Sequence, residues 1–531
     1  MIELKAYAGL IRNHKELASE LGVCTNGLTR DQREQRLMVA AYERWGTQMG
    51  THINGQFAAA LFDTESQQLF CLRDILGAEL FFYYQTADGR VLVGTSISDL
   101  FDQPGFVREL NQEMIQFYLA FTYLPGEETL FKGVFKLQPG GYLTYSDAQG
   151  LKLGTYWDLS FEPDESKTLD QWANDVDAAM EASLRDICEP DQVCDSFLSG
   201  GVDSSFIMAK SRARTGFCAA YENQQASEEE DARATAEFLG RNFEGLTVTP
   251  EEFLGNVDEF LRAFELPTAD VAALSLYSAC KQIVAGGKSE LCFSGEGADE
   301  FFAGYSVYRH TPALRKLLEP VYHGTTYIMN AKEQKRFAAQ YFPNRSTEEF
   351  VKQRAAAGAV YDELGQKLYT DLRTDFEGSI LYNSTKIARG TGLDIRMPFC
   401  DLRMFEIART MPSRFKTTDQ GNKLALRAAA ARVLPHAVAY RKKLGFPVPV
   451  RAWLTTEPFM AEIKRALTSD AAKCLLNAGE LNCLLAAFKG EKPAAHGHWY
   501  KRHEQLLWRY VWTCYTLVRW YELFFLDGAA D

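Results

Sequence analysis

Cysteine occurs in this sequence without any pattern that would give it a chemical task. The 531 residues include eleven, at positions 24, 71, 188, 194, 218, 280, 292, 400, 474, 483 and 514, an odd count with no CxxC pair. That is the usage of a reducing compartment, where cysteine serves mainly as a small buried hydrophobe. Positive charge is also in short supply: 57 Lys and Arg against 70 Asp and Glu leave a net charge of −13. A broad phosphate-backbone interface is thereby disfavoured, so nucleic acid is not an expected partner, although one basic pocket is allowed. The N-terminal MIELKAYAGLIRN carries Glu3 and Lys5 and has no apolar core followed by a small-residue cleavage site, so a cytoplasmic protein is expected. The one long apolar stretch, LLWRYVWTCYTLVRWYELFFL, is interrupted by Arg509, Arg519 and Glu522 at spacings that a bilayer core would penalise. It reads as an amphipathic helix packed on a core, within the chain or against a second copy in a homodimer, and no membrane is expected.

What is present is an ordinary globular composition, 46% hydrophobic and 24% charged, at a length that allows two or three cores. The texture changes near residue 150. Before it, short strand-like pieces (GQFAAALFD, QLFCLRD, LFFYYQT, VLVGTS, GGYLTYS) are separated by Gly and Asp-Gly turns, which argues for antiparallel sheet. The polar DLSFEPDESKTLDQ serves as a linker. Beyond it, VCDSFL, FCAAY, EGLTVT and ELCFSGEG alternate with helical patterns, the mark of a parallel sheet with crossover helices. From about residue 305 the pattern is mostly helical. The expectation is an α/β protein with a β-rich domain over residues 1–155 and a parallel-sheet domain with added helices over 170–531.

The stretch SFLSGGVDSSFIM carries the chemistry. Ser199, Gly200, Gly201, Val202, Asp203, Ser204 and Ser205 leave a strand and open a helix. Two glycines let backbone N–H groups approach an anion, the helix adds its positive end, and the serines add hydroxyl donors. A Walker loop would need GxxxxGK[ST], and from this loop onward no lysine appears until Lys210. Instead Asp203 sits in the loop, where a carboxylate repels phosphate unless a hard cation lies between them, which implies Mg²⁺. A two-glycine turn can be mere scaffold, but CFSGEGADEFFAGY also leaves a strand, with Ser294, Gly295, Glu296, Gly297, Asp299 and Glu300. Ligands of open α/β sheets sit outside the carboxyl ends of the strands, so the two loops are expected to face one pocket.

SGGVDSS resembles the PP-loop of the ATP pyrophosphatase group, and SGEGADE followed by Gly304-Tyr305 is similar to the synthetase domain of asparagine synthetases. The resemblance continues, in the family's order, through SEEEDARATAEFLG (227–240), FELPTAD (264–270), GLDIRMPFCD (392–401), NKLALR (422–427) and YRKKLGFPVPVRAWL (440–454). It implies cleavage of ATP between the α and β phosphates, an acyl-adenylate on a substrate carboxylate, and displacement of AMP by an amine to give an amide. It further implies that the first loop holds the departing pyrophosphate, that Asp203 and Asp299 are Mg²⁺ ligands, that Lys443 stabilises charge on the phosphates, and that Glu296 lies near the acyl centre and manages the amine's proton. Arg396 is assigned to phosphate or carboxylate binding, with a salt bridge to Asp394 or Asp401 as the alternative. For Lys443 the alternative is a solvated surface lysine beside Lys442 and Arg441.

The first 155 residues resemble a glutaminase (Ntn-type) domain in NGQFAAALFD, RDILGAELFFYY and YLPGEETLFKGVFKLQPGGYL. They depart from it where it matters for glutamine. Relatives that use glutamine begin, after Met removal, with a cysteine nucleophile, and here Ile2 stands there. No RGPD-like or NGEIYN-like segment is found, so the domain is expected to persist as structure without hydrolysing glutamine. Exposure of Cys24 by processing is the one escape. The amine then comes from ammonia, a second substrate, or the same substrate, as in β-lactam synthetases and lasso-peptide cyclases. Glu296, which β-lactam synthetases replace by tyrosine, favours an asparagine-synthetase-like centre, whereas Leu266, where the family more often has Asp-Glu-Pro, leaves the carboxylate substrate, small molecule or peptide, open. A non-catalytic scaffold would show an eroded loop, and tRNA thiolation would show paired cysteines and a basic face; none of these features is seen.

Overall fold

The computed structural model describes residues 1–221, 228–309, 322–442 and 448–526. In the N-terminal part, β1 (Ile2–Ile11), β2 (Gly55–Asp63), β3 (Gln68–Arg73), β7 (Gly141–Ser146) and β8 (Gly150–Thr155) form an antiparallel sheet in that spatial order. A second sheet has the order β5 (Val91–Gly94), β4 (Phe82–Gln85), β6 (Val134–Lys136). Alternate residues of β2 face opposite sides. Phe57, Ala59 and Leu61 pack under the helices His14–Leu21 and Arg30–Trp45, and Ala58 and Ala60 meet Phe81, Tyr83 and Leu137 of the second layer. With both faces covered, β2 reads as the unbroken apolar run FAAALF. The helix Arg30–Trp45 starts where Thr29 and Gln32 form a reciprocal capping box.

The second part is built on five parallel strands in the order β11 (Asn242–Thr247), β10 (Thr215–Ala220), β9 (Asp195–Phe197), β12 (Leu291–Phe293), β13 (Asp394–Arg396). From β9 the chain first adds strands on one side, then on the other. The direction of winding reverses between β9 and β12, and the loops leaving these neighbours diverge to open a crevice. Both loops singled out in the sequence leave from this point. The C-terminal helix Leu507–Tyr521 buries Tyr510, Trp512, Tyr515 and Trp520 against the core and turns Arg519 to Asp258 at 2.6 Å. Among the described residues no helix is long and apolar enough to cross a membrane.

The two parts share buried polar contacts. The Arg73 guanidinium is fully buried and donates to the carbonyls of Gly77, Glu79 and Leu137 and, at 2.7 Å, to Glu377 Oε1. Arg12 donates to Ser183 Oγ at 3.0 Å and to the Met397 carbonyl at 2.8 Å. The polar segment read as a linker lies along the second part: Glu162 N–H and Asp164 N–H donate to the carbonyls of Arg409 and Thr410.

Candidate active site

The loop after β9 requires glycine at position 200. Gly200 has φ +72°, and a Cβ there would lie 2.7 Å from Asp231 Cβ and 2.9 Å from the Ala232 backbone nitrogen. Its absence lets the helix Glu228–Phe238 close against the loop. The helix Val202–Lys210 starts at Gly201 with no capping side chain, so its first N–H groups face the cavity. Ser204 Oγ accepts from Ser199 N–H at 3.1 Å and lies 3.2 Å from Ser199 Oγ, which brace the turn. Ser205 is fully buried, its hydroxyl without a hydrogen-bond partner among the described residues. Ser199, Gly200, Gly201, Val202 and Asp203 therefore form one wall of a cavity of about 90 Å³, while Ser204 and Ser205 support it from behind. Pockets that enclose a drug-sized ligand measure roughly 300–1,000 Å³. The enclosed part here suits a fragment of a nucleotide such as its phosphates.

The second loop meets the first. A Cβ on Gly295 would lie 3.5 Å from Asp203 Cβ and 3.9 Å from Ser204 N. Ser294, buried, donates its N–H to the Arg396 carbonyl across the sheet. Gly297, at φ +93°, turns the chain into the helix Ala298–Phe302, which carries Asp299. Glu296 is half-buried; its Oε2 is shielded from solvent and has no hydrogen-bond partner among the described residues, while its carbonyl accepts from the Cys400 thiol at 3.5 Å.

Asp203 and Asp299 converge on Lys423, whose Nζ lies 2.6 Å from Asp203 Oδ2 and 2.7 Å from Asp299 Oδ1. Asp203 Oδ1 is buried and has no hydrogen-bond partner among the described residues. The arrangement fits a hard cation, with carboxylate oxygens brought together beside the start of the helix Val202–Lys210, which has no side-chain cap among the described residues. Among the described residues no group of three or more His, Cys, Asp or Glu forms a complete cage. A set of two carboxylates is what Mg²⁺ uses when phosphates supply the remaining ligands.

The opposite wall is cationic, and most of it was not singled out in the sequence. Asn422, Lys423, Arg427, Arg441 and Lys442 line it, with Glu228 and Asp231 at the edge. Arg427 donates to the carbonyls of Asn422, Ala439 and Arg441, which ties its helix Leu424–Ala430 to the segment leading to Lys443. Burial lowers the Arg427 pKa, and Asp203 and Asp299 oppose that. Arg441 donates to the Gly200 carbonyl at 2.7 Å and pairs with Asp231 at 3.3 Å, bridging to the side of the loop that leaves β9. Lys443, with Gly445 and Phe446, lies outside the described residues. A thin signal for the missed pair existed: Lys423 and Arg427 are the only cations in the otherwise apolar KLALRAAA, Lys423 standing left-handed just ahead of the helix Leu424–Ala430.

The structure does not bring Arg396 to this cavity. Its guanidinium is held by Asp394, at 2.6 Å for Nη2 to Oδ2, and by the Ile187 carbonyl and Gln192 Oε1. Residues i and i+2 of a strand share a face, so this ion pair forms locally within β13. Arg396 lines a separate cavity of about 320 Å³ at the seam of the two parts, with Gly9, Leu10, Gln56 and Arg389. The salt-bridge alternative is the arrangement seen. In FELPTAD, Leu266 is buried in the main apolar core, Glu265 accepts from Ile97 and Ser98 N–H and pairs with Lys386, and Asp270 caps the helix Val271–Ala285. These side chains hold the fold together.

Comparison with known proteins matches residues 175–522 to the asparagine synthase family model and residues 3–157 to a glutamine amidotransferase domain model. The chain is 28% identical over 489 residues to "Asparagine synthetase [glutamine-hydrolyzing] 1" of Bacillus subtilis, covering 85% of this chain and 76% of that protein. It is likewise 28% identical over 491 residues to a "Putative asparagine synthetase [glutamine-hydrolyzing]" of Mycobacterium tuberculosis, covering 84% and 75%. Among solved structures, a glutamine phosphoribosylpyrophosphate amidotransferase from B. subtilis overlaps 46% of this chain and 45% of its own at 12% identity and a TM-score of 0.21, too slight to carry an argument.

Proposed function

The chain belongs to the asparagine synthase family, and from that premise we propose that it is an ATP-dependent ligase that adenylates a substrate carboxylate, releases pyrophosphate and forms an amide. The observation that carries this reading is the meeting of the two glycine-rich loops at the reversal point of the sheet. There Asp203 lines one cavity with Lys423, Arg427, Arg441 and Lys442, and Asp299 of the second loop joins it through the shared Lys423 ammonium.

In this reading the N–H groups at the start of the helix Val202–Lys210 and the cationic wall bind the β and γ phosphates. A substrate carboxylate oxygen attacks the α phosphorus, a P–O bond forms, and the bond to the leaving pyrophosphate breaks. Asp203 and Asp299 would hold Mg²⁺, which supplies charge neutralisation on the phosphates, and Lys443 adds to the cationic field. The amine then attacks the acyl carbon and AMP departs with the bonding electron pair. Glu296, whose Oε2 has no hydrogen-bond partner among the described residues, takes the amine's proton.

The amine is supplied as ammonia or as a separate primary amine. Of the two cysteines in residues 1–157, Cys71 is buried in β3, and burial pushes its thiol far above the usual range, so it is inert. Cys24 is exposed on the loop after the helix His14–Leu21.

The test is pyrophosphate release from ATP and Mg²⁺ across a panel of carboxylates that includes aspartate, with ammonium or glutamine as donor. Release dependent on one carboxylate, on Asp203 and on Lys443, supported by ammonium and not by glutamine, is the expected result. Measurable ATP binding with no release for any carboxylate contradicts it.

A further inference from the structure

Lys423 fills the place where a cation bound by both Asp203 and Asp299 would be. Its side chain is 2% exposed, and its ammonium touches both carboxylates. The surrounding chain is shaped to admit it. Lys423 adopts a left-handed φ of 55°, a conformation that costs a residue bearing a Cβ. Leu424 N–H to the Lys416 carbonyl at 3.0 Å and the grip of Arg427 on Asn422 fix it there. Gly304 clears its path, since a Cβ at 304 would lie 2.1 Å from Lys423 Cε and 1.7 Å from Asp299 Oδ1.

Resting on the reading of Asp203 and Asp299 as the metal ligands, we propose that Lys423 is a positioning residue, the resident counter-ion of this carboxylate pair. It keeps free divalent cation out until nucleotide arrives, and then turns to the phosphates so that metal and nucleotide load together.

The physics favours this order. One ammonium between two carboxylates leaves a single net negative charge, and a divalent ion entering beside it meets a like charge at close range. Mg²⁺ gives up its hydration reluctantly, so a half-neutralised pair is a poor site for it. Phosphates bound across the cavity bring enough negative charge to hold both cations. A lysine can make the exchange without backbone movement, because it is a compact charge on a flexible stem, whereas an arginine fork would be committed to its carboxylates.

The test uses Mn²⁺ as a paramagnetic probe, with bound ion counted by EPR on the full chain without nucleotide. Lys423→Met is expected to bind Mn²⁺ on the order of tenfold tighter than wild type, and the gain is expected to vanish in the Lys423→Met/Asp203→Asn double variant. A lysine present only for packing would not raise metal affinity when removed. A folded Lys423→Met, checked by circular dichroism, that binds Mn²⁺ no tighter overturns the proposal. Where that variant does not fold, nucleotide-free wild type decides: no Asp203-dependent binding tighter than about 1 mM is expected, and a tight site lost in Asp203→Asn overturns it. Failure of the underlying reading looks different, because Asp203→Asn would then leave Mn²⁺ binding in the presence of ATP unchanged.

Discussion

At the residue scale, two positions carry direct consequences. Asp203 reaches the cavity with an oxygen that has no hydrogen-bond partner among the described residues, so Asp203→Asn keeps the shape and removes the charge. Pyrophosphate release is expected to fall on the order of a hundredfold, the scale of losing one preorganised electrostatic group. Gly200→Ala is expected to cost stability. It forces a Cβ into a left-handed position and against Asp231 and Ala232, costing roughly 1–2 kcal/mol or more in urea unfolding. Lys416 offers a pH test. It is buried, and burial pushes its pKa down to about 7, with Asp362 only partly opposing. Between pH 7 and its ordinary value near 10.4 the unfolded chain binds a proton that the folded chain does not, so this residue makes stability rise with pH by about 1.4 kcal/mol per unit across that window. Urea unfolding of wild type and Lys416→Met at several pH values is expected to show that slope only in wild type; parallel curves contradict the burial account.

At the element scale, the loop after β9 was legible because its pattern is contiguous: strand, two glycines, a carboxylate and a helix start fall within a few residues. The cationic wall was not. Lys423, Arg427 and Arg441 lie more than two hundred residues further along and reach the cavity only because the order β10, β9, β12, β13 wraps the chain back over the β9 loop. Arg396 misled for a local reason, since the Asp394 that satisfies it sits two positions away on the same face of a three-residue strand. β13 itself gave no strand signal, because DIR carries two charges and no apolar run. β1 was also missed; Glu3 and Lys5, both exposed, alternate with apolar neighbours on an edge strand. The seam is testable as an element. Arg73→Met strands Glu377 and three carbonyls in the interior, and urea unfolding is expected to show a loss of about 3–5 kcal/mol.

At the scale of the whole molecule, a parallel-sheet ligase half is joined to an antiparallel half through buried arginines. On the proposed reading the antiparallel half, with Ile2 where glutamine-using relatives carry cysteine, serves as structure, and it supplies Arg73, Arg12 and Asn54 to the seam. That division of labour predicts a donor preference: ammonium, or hydroxylamine in its place, supports amide or hydroxamate formation, whereas glutamine at the same concentration does not. The central claim is the adenylation itself, and isotope transfer tests it most directly. With ATP, Mg²⁺ and a carboxylate substrate labelled with ¹⁸O, attack on the α phosphorus followed by amine displacement must leave one labelled oxygen in AMP. Mass spectrometry of the product nucleotide is expected to find that label in AMP and none in pyrophosphate. Unlabelled AMP, or label recovered in inorganic phosphate with ADP as the nucleotide product, would contradict the account.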